Sequence, residues 1–435
     1  MKYFKANLFI ILILLFLGST AFAARIEISA PGEQTIPLAM PRLVSMGVGS
    51  VQPAVAAEFQ QVLQGDLELS GLFDLVNPAS FLSDAQKLGL RRTDIDFQQW
   101  RILGAETLIK GGYSVSSGQV TVELRLFDVI TQRLLTGRRY TGKLADIRKI
   151  AHTFADQILL SLTGEKGPFA TKIAYISKRT GHKELYLMDV DGHQSKQMTN
   201  HRSIVLNPDF SPMRKELIFT SYSKDNPDLY RKEVYTGRES RLSLKQGLNI
   251  GGRYSPDGRE IAITLSKDKN SEIYLIGTDG TIHKRLTNHY SIDVDPSWSP
   301  KGNKIAFVSD RRGNPNVFIV DIRTLEVSRL TYEGKYNVTP AWSPKGDKIA
   351  FSRMVDGVFN IFTIREDGTD ERQLTFGSGS KEHPRWSPDG RFLIYSVDQS
   401  GGDKSIWVMR ADGTGAKRIS APRSNDSHPA WSGRW

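Results

Sequence analysis

From about residue 172 to the end of the chain, apolar and polar residues alternate in short runs rich in β-branched and aromatic types, and the runs recur at a fixed spacing. One unit is Asp295 to Ser299, Lys304 to Ser309, Asn316 to Asp321 and Val327 to Thr331. An aromatic-Ser-Pro motif marks each unit: Phe210-Ser211-Pro212, Tyr254-Ser255-Pro256, Trp298-Ser299-Pro300, Trp342-Ser343-Pro344 and Trp386-Ser387-Pro388. Each Pro stands 44 positions after the last, and Trp431-Ser432 adds a sixth copy 45 after Trp386. Ser299-Pro300-Lys301-Gly302 has type I turn chemistry, and Asp279-Gly280, Asp367-Gly368 and Asp412-Gly413 are hairpin signals. Four antiparallel strands in each 44-residue unit describe a propeller blade.

The phase of the repeat predicts how the ring closes. Second strands centred on Ala174, Ile218, Ala262, Ala306, Ala350 and Ile394 number six, as do the aromatic-Ser first strands, but the repeat enters on a second strand and leaves on a first. The last strand is therefore expected to complete the first blade, so that no sheet edge is left open. A β-solenoid of the same period would not need this offset.

Residues 25 to 165 lack the repeat. Val55, Phe59, Val62 and Leu63 fit one face of a helix, as do Ile147, Ile150, Ala151, Phe154 and Ile158. Thr107 to Ser114, Val120 to Asp128 and Arg133 to Tyr140 read as a small antiparallel sheet turning at Ser117-Gly118. The expected organisation is a signal peptide at 1–23, an N-terminal arm at 24–41, an α/β domain at 42–165 and a six-bladed all-β propeller at 166–435.

The signal rests on Lys2 and Lys5, ten unbroken apolar residues from Leu8 to Leu17, and the small-x-small site Ala21-Phe22-Ala23. Ten residues fall short of the roughly 20 a spanning helix needs, and no later segment is long or apolar enough, so no transmembrane segment is expected in the mature chain. The formal charge is +11, yet basic and acidic residues interleave without a run, which argues against nucleic acid as a partner. Zero cysteine excludes disulfides, thiolate metal sites and cysteine nucleophiles. There is no G-x-S-x-G elbow and no H-E-x-x-H, and Asp189-Val190-Asp191-Gly192-His193 has His193 where a calcium loop needs an oxygen ligand. No cofactor, metal or catalytic residue is expected.

Counting back three from each repeat aromatic gives Asn207, Gly251, Asp295, Thr339, His383 and His428, with Pro next in all but one case. On channel-lining first strands these would form a mostly polar ring near one mouth, and Asn249, Asp293, Asn337, Lys381 and Asp426 stand two positions earlier. All of these but Gly251 are candidate partner-binding residues; a polar residue before a proline is equally ordinary turn chemistry. In the arm, Arg25-Ile26-Glu27-Ile28 alternates in the strand sense and could add to a partner's sheet, fold back onto its own protein, or be a tail left by cleavage.

The signal, the α/β domain, the junction Thr163-Gly164-Glu165-Lys166-Gly167-Pro168-Phe169 running into Lys172-Ile173-Ala174-Tyr175, and the six repeats together resemble the TolB family, periplasmic propellers of the Tol-Pal system. The resemblance implies a non-catalytic, monomeric periplasmic scaffold. Its propeller would bind the lipoprotein Pal, and Arg25, Ile26, Glu27 and Ile28 of the arm would contact TolA, in support of outer-membrane integrity and cell division. Met213-Arg214 in place of the turn Asp-Gly, and Gly251-Gly252 in place of the polar-Pro pair, depart from the repeat. A hydrolase-associated propeller, a carbohydrate-binding one and a metabolite sensor are the other classes this architecture admits.

Overall fold

The computed structural model describes residues 35–47, 51–399 and 402–434. The signal segment and Arg25 to Ile28 lie outside the described residues.

In the N-terminal domain the strands are β1 (Ile36–Ala39), β2 (Val44–Ser45), β3 (Phe73–Leu75), β4 (Thr107–Ser116), β5 (Gln119–Asp128) and β6 (Arg133–Lys143). They form one sheet in the order β3-β1-β4-β5-β6, with β2 also on β4. The β4-β5-β6 meander is antiparallel, and its first turn takes Ser117 and Gly118 through φ of 50° and 75°, as a two-residue hairpin requires. Helices α1 (Pro53–Ser70) and α2 (Ile147–Thr163) cover one face. Pro53 starts α1 where its missing N–H is not needed, and Gly71 and Gly164 end the two helices in the left-handed conformation.

The expected boundary of the arm at residue 41 is corrected. Ile36–Ala39 is an interior strand, parallel to both neighbours, with Ile36 opposite Phe73 and Leu38 opposite Thr107. Leu38 and Ala39 are fully buried. Pro37, which hides the strand in the sequence, costs the ladder one donor, but its carbonyl still accepts the N–H of Glu106 at 2.9 Å.

The rest is a ring of six four-stranded sheets. Blade I combines Asp426–Trp431 with Lys172–Ser177, Glu184–Asp189 and Lys196–Gln197, pairing Asp426 with Ser177 and Trp431 with Ile173. Blades II to VI are continuous and begin with Val205–Phe210, Asn249–Tyr254, Asp293–Trp298, Asn337–Trp342 and Ser380–Trp386. The expected closure by the C-terminal strand is thus present. Ile394, Ile406, Val408 and Ile419 of the propeller share one apolar core with Leu63, Ile150 and Phe154 of the two helices.

Polar contacts reinforce that junction: Arg410 Nε donates to the Leu69 carbonyl at 3.1 Å, and Arg391 Nη2 to Thr163 Oγ1 at 2.9 Å. Beneath them His152 Nδ1 lies 2.7 Å from Asp66, and its Nε2 lies 3.5 Å from Asp191 of blade I, which also pairs with Arg148. Burial opposes protonation of His152, but the charges of Asp66 and Asp191 outweigh it and lift its pKa to about 10. His152, Asp189 and Asp191 approach one another closely enough to hold an ion. Lys172 and Arg148 already neutralise the two carboxylates, so the group is an ion-pair network.

Candidate functional site

Every first strand breaks its pairing at the same place. The register shifts between Leu206 and Asp209, and at the equivalent positions of the other five blades, as a β-bulge. Asn207, Gly251, Asp295, Thr339, His383 and His428 occupy the bulges with φ of 51°, 68°, 54°, 54°, 58° and 49°. Asn, Asp and Gly are the residues that tolerate this left-handed conformation best, which explains half the ring, Gly251 included. The proline that follows in five blades has no N–H to leave unpaired where the ladder is interrupted.

The bulged residues come together around the axis, where those other than Gly251 are half-buried. The rings of His383 and His428 lie 3.9 Å apart, and the position from which a side chain would leave Gly251 is 3.8 Å from both Asn207 Nδ2 and Asp295 Oδ1. Burial pushes His383 down to about 4 and, with His383 alongside, holds His428 well below the usual histidine value, so both are neutral at pH 7. Burial raises the Asp295 carboxyl against the attraction of Arg253.

The five residues two positions earlier sit differently. Asn249, Asp293, Asn337, Lys381 and Asp426 are all buried, and most of their polar atoms are taken up by neighbouring loops and cations. Asn249 accepts from Ser243 Oγ and the Lys245 N–H and donates to the Lys245 and Gly247 carbonyls, at 2.7 to 3.1 Å. Asp293 pairs with Arg311 at 2.7 Å and Asp426 with Arg179 at 3.3 Å. Asn337 accepts from Arg353 Nε at 2.7 Å, and Lys381 Nζ donates to three successive carbonyls, Phe376, Gly377 and Ser378. They shape the mouth from beneath.

Above them the inter-blade loops carry exposed apolar side chains: Leu244, Tyr290, Ile292, Tyr332 and Phe376 are 56, 86, 51, 69 and 70% accessible. All precede a first strand, so all surround the same mouth, the one away from the aromatic-Ser-Pro corners and the N-terminal domain. Sequence reasoning misses them because an isolated apolar residue in a loop has no period. The available signal is one repeat position, directly after a buried Ser or Thr at 243, 331 and 375, filled by Leu244, Tyr332 and Phe376.

Two family models match the chain: one described as the TolB beta propeller domain over residues 160–434, the other as the TolB amino-terminal domain over residues 24–135. The chain is 58% identical over 209 residues to the Tol-Pal system protein TolB of Syntrophotalea carbinolica, which is 48% of each chain, and 50% identical over 191 residues to the protein of that name from Geobacter metallireducens, 44% of each. The matched stretches thus span about half the length of these curated relatives. A crystal structure of TolB from Acinetobacter baumannii superposes with a TM-score of 0.79 at 25% identity, over 92% of this chain and 98% of that one.

Proposed function

The chain belongs to the TolB family of the Tol-Pal system, and from that premise we propose that it is a non-catalytic periplasmic scaffold whose loop-bearing propeller mouth binds a Pal-type lipoprotein. The observation that carries this reading is the exposed apolar set Leu244, Tyr290, Ile292, Tyr332 and Phe376, gathered on one face over a backbone fixed by six bulges. Monomeric proteins rarely leave such a patch without a partner, and aromatic anchors dominate the energy of protein interfaces. The neutral His383 and His428 at the centre of the face add no charge to desolvate. Arg25, Ile26, Glu27 and Ile28 would engage a TolA-type protein as an added strand, and the two engagements together would support outer-membrane integrity and constriction at division.

Calorimetry of the mature protein with a soluble Pal domain tests the reading. Tyr290→Ala with Phe376→Ala should weaken binding at least tenfold while the melting temperature holds; unchanged affinity places the partner elsewhere. Removing residues 24–31 should abolish capture of a TolA-type protein and leave Pal binding intact or only modestly altered.

A further inference from the structure

Two positions after each bulge, toward the opposite mouth, the first strands carry a second ring: Asp209, Arg253, Ser297, Ala341, Arg385 and Ala430. Three members are small, and the two arginines stand on blades III and VI, directly across the axis. The ring floors a cavity of about 290 Å³ walled by the aromatic-Ser-Pro corners, with Pro212, Pro256 and Pro344 exposed at its rim and Trp386 and Trp431 half-buried in its wall.

The arginines differ in their company. Arg253 donates to the Pro208 carbonyl at 3.1 Å and has the Asp209 carboxylate 3.9 Å away. Arg385 donates Nη1 only to the carbonyl of its neighbour Pro384, at 2.8 Å, and its Nε is buried without an acceptor. Among the described residues no carboxylate comes within ion-pair distance of it. Guanidinium groups drawn out of water are ordinarily paired, and their planar fork fits a carboxylate.

We propose that this funnel is a carboxylate-binding site, in which Arg385 takes the anionic oxygens across the axis from Arg253 and the proline and tryptophan wall takes an apolar body. The chain terminus of an extended peptide and a small aromatic carboxylate share that chemistry. The site is on the far side of the ring from the loop-bearing mouth, so it stands or falls independently of the Pal reading.

Calorimetry of the mature protein with acetyl-Gly-Gly-Phe, its C-terminal amide and benzoate distinguishes the sources. The free acid, benzoate or both should bind, and whichever acid binds identifies the ligand as peptide or small molecule. The amide should be at least tenfold weaker than the acid peptide if the peptide is the ligand. Arg385→Met should lose at least tenfold for the acid that binds, with the melting temperature unchanged, and Arg385→Lys, which keeps the charge, should recover part of the loss. Should Arg385→Met fail to fold, a weaker binding by Arg385→Lys carries the test. Absence of binding by both acids, equal binding of acid peptide and amide where the peptide is the ligand, or full affinity in the arginine variants overturns the proposal.

Discussion

The hydroxyl of Ser432 accepts the backbone N–H of Lys172 at 2.9 Å, joining residues 260 positions apart, and the Ser432 N–H returns a bond to the Lys172 carbonyl. Blade I exists only because both ends of the propeller meet in it. Deleting residues 427–435 should leave the edge of Lys172–Ser177 unpaired and lower the melting temperature of the whole ring in one transition, read by calorimetry. An unchanged midpoint would show that the strand is dispensable.

Gly251 tests the bulge. A methyl group added there would meet nothing closer than 3.8 Å, so Gly251→Ala reports the left-handed backbone alone and should cost about 1–2 kcal/mol in urea unfolding. Gly251→Asn should cost less than half as much, because Asn tolerates this conformation. Equal losses would mean that the bulge imposes no such preference.

Asn249→Ala separates support from contact. Removing a buried amide that makes four hydrogen bonds should destabilise by about 2–4 kcal/mol. Tyr290→Ala, by contrast, should leave stability within about 0.5 kcal/mol and affect only binding. If both variants melted with the parent, Asn249 would not be holding its loop.

The pH dependence of stability reports on His152. Its folded pKa of about 10 lies above the ordinary 6.5, so its contribution is fully present below pH 6.5 and is lost as pH rises toward 10. Relative to His152→Gln, the parent should lose about 2–4 kcal/mol between pH 6.5 and 10. Parallel stability curves for the two proteins across that range would remove His152 from the pH response.

The propeller was legible because its information is local and repeated: alternation, turn dipeptides and the spacing of Trp298, Trp342 and Trp386 each specify a strand or a corner without reference to distant residues. The ring at Asn207 was legible as a position but not as a conformation. Its side chains suggested contact with a partner, whereas the common property is the backbone that Asn, Gly and Asp can adopt. Asp293 and its equivalents look like surface polars in sequence and are buried, because their partners, Arg311 among them, come from a neighbouring strand end. β1 was hidden by Pro37 and by parallel pairing, which leaves no turn signal beside the strand. The approach of Asp66, His152 and Asp191 depends on how the two domains meet, which no local pattern encodes.

The interior position of β1 also sets how the domain carries load. Tension on the chain ahead of Ile36 would pull along the strand, while its hydrogen bonds, Ile36 N–H to Leu72, Val76 N–H to Leu38 and Glu106 N–H to Pro37, lie across it on both sides. Bonds loaded in shear must fail together, whereas those of a peeled edge strand fail one at a time. A pull applied at Ile36 would therefore have to break the pairing on both sides of the strand at once, and not unzip an edge.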